Sequence, residues 1–103
     1  MPSKFQTLVY AAAKRIPRGR VATYRAVAEA IGKPYAVRAV GNALNKNPFT
    51  SIPCHRVVRS DGTVGGYARG IKTKIKILRR EGVKIYQSGL INHSQILKNM
   101  RMK

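Results

Sequence analysis

The sequence has very few acidic residues. Its 103 residues include three Asp or Glu against 21 Lys or Arg, which gives a formal net charge of +18 at pH 7. A charge of this sign and size attracts polyanions, so nucleic acid is the first partner to consider. Because the cations are spread along the chain, we expect the folded domain itself to be cationic, as opposed to a basic disordered tail.

Cysteine, histidine and long apolar runs are also scarce. A single cysteine excludes an internal disulfide, and with only His55 and His93 beside it the chain has too few ligands for a tetrahedral zinc site. No apolar run is long enough to cross a bilayer, and the amino end lacks the charged-then-apolar order of a secretory signal. We therefore expect one small cytoplasmic domain, monomeric and without structural metal or membrane contact.

Apolar spacing predicts four helices, over residues 3–16, 24–31, 34–46 and 72–81. Thr23 is placed to cap the second helix, and Gly32 to end it in the left-handed conformation. Pro34 suits the first turn of the third helix, and Pro48 disfavours its continuation. Two short helices joined by a tight turn in a basic chain indicate a helix-turn-helix.

The segment between the third and fourth helices predicts a connector and a hairpin. "NPFTSIP", residues 47–53, has proline near both ends and is expected to be extended. "HRVV" and "TVGGY" then flank Asp61 and Gly62, which are turn residues, so a short β-hairpin is predicted. The expected fold class is mainly α with a small β-hairpin: a winged-helix-like DNA-binding domain.

Cys54 has two interpretations. A lone cysteine is more often a small buried hydrophobe than a nucleophile. The basic surroundings and the adjacent His55 favour the reactive thiolate by lowering the thiol pKa. Because neighbouring residues of an extended chain point to opposite faces, contact between Cys54 and His55 needs either a backbone turn or a bridging water.

Glu81 is an acid in an unfavourable position. It ends the fourth helix, where the helix dipole disfavours negative charge by ~0.3 to 1 kcal/mol. Compensation by a histidine would produce the carboxylate, imidazole and thiol order of an activated cysteine. The alternative is a surface pair with Arg79, Arg80 or Lys84.

The third helix carries one long cation, Arg38, among the small residues of "AVRAVGNA". Gly41 inside a helix costs about 1 kcal/mol relative to alanine, so we expect a close approach there. Small residues let a helix enter a narrow groove, where Arg38 would wedge into the base stack. Ordinary helix packing by Ala and Gly is the alternative.

These motifs together resemble a known family. "VATYRAVAEAIG", "RAVGNAL", "NP", "IPCHRVV", "DGTVGGY" and "LRREG" follow the order and near-spacing of the methylated-DNA-protein-cysteine methyltransferases, which repair 6-O-methylguanine, over about residues 5–83. The resemblance implies an alkyltransferase domain over 1–83 and a C-terminal extension of unknown role over 84–103. In that family the nonenzymatic alkyltransferase-like proteins carry tryptophan at the position of Cys54, so the thiol favours the enzyme.

The resemblance implies a single-turnover reaction on double-stranded DNA. Cys54 would attack the alkyl carbon of a flipped 6-O-alkylguanine and keep the methyl group irreversibly, without a diffusible cofactor. His55 with Glu81 would take the thiol proton through water, and Asn47 would brace the connector.

The resemblance also implies which residues hold the DNA and the base. Arg38 would fill the space of the extruded guanine, and Tyr24 would push on the neighbouring phosphate. The other positions implied in DNA binding are Arg25, Lys33, Ala39, Gly41 and Ser60. The positions implied in the substrate pocket are Leu44, Val57, Tyr67 and Ala68.

Four features depart from the family pattern. The stretch from Asn47 to Cys54 is one residue shorter than usual, and larger relatives carry an amino-terminal domain ahead of this region. Arg69 stands where many relatives have a small residue and is expected to narrow the pocket mouth. In the extension, Ile91, Ile96 and Leu97 are expected to cover the face that the amino-terminal domain would shield.

Two functions without chemistry compete with alkyl transfer. One is a non-catalytic DNA-damage sensor or small basic DNA-binding protein that recognises extruded bases. The other is a winged-helix regulator, which would read undamaged sequence in the major groove.

Overall fold

The computed structural model of the protein describes residues 2–97 and 99–100. Within these residues the helices are α1 (Lys4–Ala13), α2 (Tyr24–Ala30), α3 (Val37–Asn45) and α4 (Ile71–Arg80). The strands are β1 (Val21–Thr23), β2 (Val57–Val58) and β3 (Ile96–Leu97). One-turn 3-10 helices, Cys54–Arg56 and His93–Gln95, lead into β2 and β3.

The four predicted helices are present, with different ends. A capping box between Ser3 and Gln6 starts α1, which ends at Ala13 because Arg15 and Ile16 donate to carbonyls three residues back. The third helix starts at Val37, later than predicted, because a turn closed by Ala36 N–H and Lys33 O holds the preceding residues. The fourth starts and ends one residue earlier than predicted.

The predicted helix boundaries at Thr23 and Gly32 are confirmed. Thr23 Oγ1 accepts a hydrogen bond from Ala26 N at 2.9 Å and caps α2. Gly32 has a φ of 76° and Gly82 a φ of 91°, a left-handed conformation that glycine adopts without strain.

The predicted hairpin is wrong. β1 is the central strand of a parallel sheet in the order β2, β1, β3, with Ala22 opposite Val57 on one side and Leu97 on the other. The turn at residues 59–63 forms, but Thr63 then bridges to Leu90. Val57 and Val58 are both fully buried, as in a strand covered on both faces, whereas a hairpin arm would alternate between core and solvent.

Two hydrophobic clusters form the core. One joins α1, α2 and α3 to the connector and includes Cys54 and Val57. The other lies between α4 and the sheet and includes Leu78 and Val83. On α4, Leu78 is fully buried in this second cluster, whereas Ile75 and Ile77 are half-buried.

The segment that follows α4 is packed against the rest of the fold. Ile85 and Ile91 are buried in the second cluster, Ile96 packs against it and Leu97 packs against the first. Residues 98 and 101–103 of the predicted extension lie outside the described residues.

Among the helices described, none has the length and apolar content required to cross a bilayer.

Candidate active site

Cys54 starts a 3-10 turn immediately after Pro53. The turn takes Cys54 and His55 out of extended geometry, which is one of the two arrangements the sequence left open. Cys54 is 8% exposed, and its Sγ accepts a hydrogen bond from Asn47 Nδ2 at 2.8 Å. The sulfur is therefore held at a defined point at the edge of the core.

Asn47 organises the connector that delivers Cys54. Its Nδ2 donates to Phe49 O at 2.9 Å, and its Oδ1 accepts from Phe49 N at 2.9 Å. The same amide reaches the sulfur, so one side chain ties the end of α3, the start of the connector and the thiol together.

Cys54 lines a cavity of about 180 Å³ between α3 and α4. Leu44 of α3 and Ile77 of α4 form its sides, and His55 also lines it. Tyr67, Ala68 and the exposed Arg69 also line it. Val57 is fully buried and is not among the lining residues; its carbonyl accepts from Lys74 Nζ at 2.7 Å.

Glu81 binds two cationic or basic side chains behind this cavity. His55 Nε2 lies 3.0 Å from Glu81 Oε1, so the expected contact between histidine and acid is present. Arg56 adds a bidentate pair through Nε at 3.0 Å and Nη2 at 2.9 Å, and its Nη1 donates to Ile16 O. The alternative surface pairing of Glu81 with Arg79, Arg80 or Lys84 is wrong.

Burial sets the protonation of the thiol and the imidazole. Burial raises the pKa of the Cys54 thiol above its usual value, with partial offsets from the Asn47 hydrogen bond and the Lys74 charge. The expected lowering of the Cys54 pKa is therefore wrong, because desolvation of the thiolate outweighs its positive surroundings. Burial likewise lowers the pKa of His55, against the opposing effect of Glu81.

Glu81 stays charged in spite of its burial. Burial alone would raise the pKa of Glu81, but hydrogen bonds from Arg56 and His55 outweigh it and lower the pKa. A neutral imidazole bonded to a charged carboxylate is a competent proton acceptor. The cavity is thus lined by the Cys54 thiol, whose raised pKa favours its protonated form, and by the His55 imidazole, which can accept a proton.

Two residues of the site were missed at the sequence level. Arg56 compensates Glu81, and Lys74 is fully buried, with Nζ donating to Val57 O and to Gly66 O at 3.0 Å. Burial lowers the pKa of Lys74 to about 8. The available signal for Lys74 was its spacing, because it lies four residues before the buried Leu78, on the same face of α4.

The residues expected to bind DNA lie mostly on the surface around α3. Arg38 and Ala39 are exposed, whereas Val40, Ala43 and Leu44 on the other side of α3 are buried. Arg25 and Ser60 are also exposed, and Lys33 is partly exposed.

Tyr24, Arg38 and Gly41 meet at a groove of about 600 Å³ that Arg59 and Gly66 also line. Tyr24 is half-buried at the start of α2, its hydroxyl donates to Gly66 O at 3.4 Å, and burial raises its pKa. A Cβ added at Gly41 would meet Tyr24 at 3.9 Å, an ordinary contact. Packing within the protein therefore does not explain the glycine.

None of the three acids neutralises the cation on α3. Glu29 lies 3.8 Å from Arg25, Glu81 binds His55 and Arg56, and Asp61 accepts from Thr63. Within the described part of the chain Arg38 forms no ion pair, and so it presents a positive charge to solvent.

Comparisons with known proteins agree with this arrangement. Residues 4–83 match the family described as 6-O-methylguanine DNA methyltransferase, DNA binding domain. The chain is 51% identical over 78 residues to the bifunctional transcriptional activator/DNA repair enzyme Ada of Escherichia coli, covering 75% of this chain and 22% of Ada. It is 49% identical over 82 residues to a methylated-DNA–protein-cysteine methyltransferase of Saccharolobus islandicus, covering 79% of this chain and 52% of the relative.

Solved structures give the same result. The Mycobacterium tuberculosis OGT in complex with DNA superposes with a TM-score of 0.77 at 40% identity, covering 80% of this chain and 52% of that one. Atl1 of S. pombe, in complex with damaged DNA containing O6-carboxymethylguanine, superposes with a TM-score of 0.78 at 36% identity, covering 92% of this chain and 95% of Atl1.

The chain belongs to the 6-O-methylguanine DNA methyltransferase family, a DNA repair family, through its DNA-binding domain. It spans about half the length of the Saccharolobus relative and less than a quarter of Ada.

Proposed function

We propose that this protein repairs DNA by moving an alkyl group, methyl in the first instance, from 6-O-alkylguanine onto its own Cys54. The observation that carries the proposal is the position of Cys54 Sγ, which lines a cavity next to α3 with the pair of His55 and Glu81 adjoining it. A sealed core cysteine would have neither the cavity nor the base.

The chemistry follows from the protonation states. Because the pKa of Cys54 is raised, the resting sulfur is a thiol, and it needs a base before it can attack. His55, neutral because its pKa is lowered, would take the proton through water, while Glu81 stabilises the imidazolium that forms. The Sγ–C bond would form as the C–O bond breaks, and the guanine would leave with the electrons of that C–O bond and take a proton from water. The His55 imidazolium would then return the thiol proton to water.

The product of this reaction is a thioether on Cys54. A thioether is chemically inert and does not release its alkyl group, so each molecule would act once and need no diffusible cofactor. Asn47 would keep the sulfur in line with the alkyl carbon.

DNA binding would use α2 and α3 as a helix-turn-helix with α3 in the minor groove. Double-stranded DNA with an alkylated guanine is the proposed partner, and Arg38 would occupy the place of the flipped base. The exposed Arg38 and Ala39, and the lack of an internal reason for Gly41, support this orientation. Residues 1–83 would carry this activity in a monomer that works on the DNA inside the cell.

A steep salt dependence and weak preference among undamaged sequences should accompany this binding, because phosphate neutralisation would dominate affinity. Tight binding to one undamaged sequence would instead support a winged-helix regulator.

A binding-only damage sensor is the second candidate. It is favoured by the comparison with Atl1, whose structure holds damaged DNA containing O6-carboxymethylguanine and covers 92% of this chain. Against it stands the thiol itself, placed next to a base that a sensor would not need.

Intact-protein mass spectrometry separates the two candidates. The protein is incubated with a duplex containing 6-O-methylguanine and with the same duplex containing guanine. Transfer predicts a gain of one methyl group with the methylated duplex only, and Cys54→Ala should abolish the gain while keeping DNA binding. An unchanged mass with retained preference for the methylated duplex would establish the sensor instead.

A further inference from the structure

The segment after the family match holds the end of α4 in place. We call residues 84–97 the strap. The likeness to Atl1 covers 92% of this chain, more than residues 4–83 alone can supply, so part of the strap belongs to that shared fold. Two hydrogen bonds join the strap to earlier parts of the chain: Ile91 N donates to Gly62 O at 2.9 Å, and Arg20 Nη1 donates to Ser94 O at 2.9 Å.

One side chain of the strap, Gln95, makes three hydrogen bonds to two separate backbone segments. Its Nε2 donates to Gly82 O at 2.8 Å and to Gly19 O at 3.1 Å. Its Oε1 accepts from Lys84 N at 2.8 Å. The amide therefore bonds to the residue immediately after Glu81 and to the loop that precedes β1.

The Gly19 loop also lies against the backbone of Glu81. A Cβ built on Gly19 would be 3.3 Å from Glu81 O, and Arg18 Nη2 donates to Arg80 O at 3.4 Å. Gln95 thus links the backbone that follows Glu81 to the Gly19 loop that lies against the Glu81 carbonyl.

This position needs such a tie. Glu81 is the C-cap residue of α4, where helices fray and where the helix dipole disfavours a carboxylate. The next residue, Gly82, is conformationally permissive. The contact of Glu81 with His55 is 3.0 Å, so a displacement of about 1 Å would exceed hydrogen-bond reach.

We propose that Gln95 is a positioning residue, which sets the distance between the Glu81 carboxylate and His55 by joining the backbone that follows Glu81 to the Gly19 loop that lies against the Glu81 carbonyl. This proposal rests on the transfer activity proposed above for its consequence in the reaction, but its geometric content can be measured without any reaction.

The test compares Gln95→Met with Asn92→Ala. Gln95→Met keeps the length of the side chain and removes its three hydrogen bonds. Asn92→Ala is the matched control: among the described residues the Asn92 side chain bonds to Ser94 N and Ser94 Oγ, so the variant removes the cap of the His93–Gln95 turn but keeps the Gln95 amide. Gln95→Glu keeps the acceptor for Lys84 N and loses both donors, so the test does not depend on one variant folding.

The primary readout is the NMR titration of the His55 imidazole without DNA. The charged groups that act on His55 are Glu81, Arg56 and Lys74, and among them Glu81 raises its pKa. A looser Glu81 should therefore lower the His55 pKa in Gln95→Met and in Gln95→Glu, and leave it unchanged in Asn92→Ala. An unchanged His55 titration in both Gln95 variants would overturn the proposal.

The second readout is the rate of methyl transfer at equal folded fraction. Gln95→Met should slow transfer severalfold with unchanged DNA affinity, and Asn92→Ala should not. Failure of the parent protein to gain a methyl group would refute the proposed function, and the titration would still decide the role of Gln95.

Discussion

The α3 face and the Glu81 cluster handle charge in opposite ways. The α3 face (Arg38, Ala39, Gly41, Asn42 and Asn45) presents a cation to solvent without a carboxylate nearby. The Glu81 cluster (His55, Arg56 and Glu81) buries a carboxylate, with Glu81 side-chain exposure of 8%, and satisfies both of its oxygens inside the protein. The Arg38 cation, which has no counter-charge within the described residues, is available to an anionic partner. The Glu81 carboxylate is bonded at both oxygens inside the protein, so it acts on its neighbours His55 and Arg56.

The comparison predicts that changes to the two regions will separate binding from reaction. A variant in the Glu81 cluster should impair folding and transfer but spare DNA affinity. A variant on the α3 face should spare folding and transfer from a free alkylated base, and should impair DNA binding or base flipping.

Glu81→Gln is expected to have the largest effect. It leaves Arg56 buried without its counter-charge, which should lower the free energy of unfolding by about 3 kcal/mol. Loss of the carboxylate behind the base should slow transfer by roughly 100-fold, the lower range of general-base effects. Urea denaturation and single-turnover rates measure the two losses.

Glu81→Gln should bind duplex DNA as the parent does, under conditions where the variant is folded. Parallel losses of transfer and DNA affinity in the folded variant would mean that Glu81 has only a folding role.

Arg38→Ala should give the next largest effect, on duplex substrate alone. Without a side chain to fill the space of the extruded base, flipping becomes less favourable, and a cost of about 1.4 kcal/mol slows transfer roughly tenfold. Transfer from a free 6-O-alkylguanine base needs no flipping and should be unchanged. Equal losses on duplex and free base would exclude the wedge.

Asn47→Ala should reduce thiol reactivity near neutral pH. The Asn47 hydrogen bond lowers the pKa of Cys54, so its removal raises that pKa further and reduces the thiolate fraction below the pKa. Reaction with iodoacetamide across a pH series, without DNA, should show a profile displaced to higher pH. Asn45→Ala, at an exposed asparagine two residues earlier, is the control and should leave the profile in place.

The sequence was sufficient where the interactions are local. The capping signals at Thr23 and Gly32 and the periodicity of α1 to α4 follow from neighbours along the chain. The contact of Glu81 with His55 spans 26 residues, and it was predicted only as one of two ways to compensate an acid at a helix end. The parallel sheet was missed because β1, β2 and β3 are two or three residues long and pair across more than 30 residues.

Burial was the second quantity that the sequence could not provide. The many cations near Cys54 suggested a lowered thiol pKa, but the sign depends on desolvation, which is known only once the core is packed. The same applies to Lys74, whose charge looks solvated in "IKTKIKIL" and is fully buried in the fold.

Gly41→Ala is expected to have the smallest effect and gives the sharpest separation of the two regions. The added methyl group meets only ordinary contact with Tyr24, and alanine favours the helix, so the free energy of unfolding should rise by roughly 0.5 to 1 kcal/mol. The same methyl group would project into the groove of the bound DNA and weaken affinity roughly fivefold, or about 1 kcal/mol. Thr73→Ala, on the exposed side of α4, is the control: it should also add stability but leave DNA affinity unchanged. A stabilised Gly41→Ala protein with parental affinity would show that α3 does not enter the groove through this residue, and that the glycine serves no partner at all.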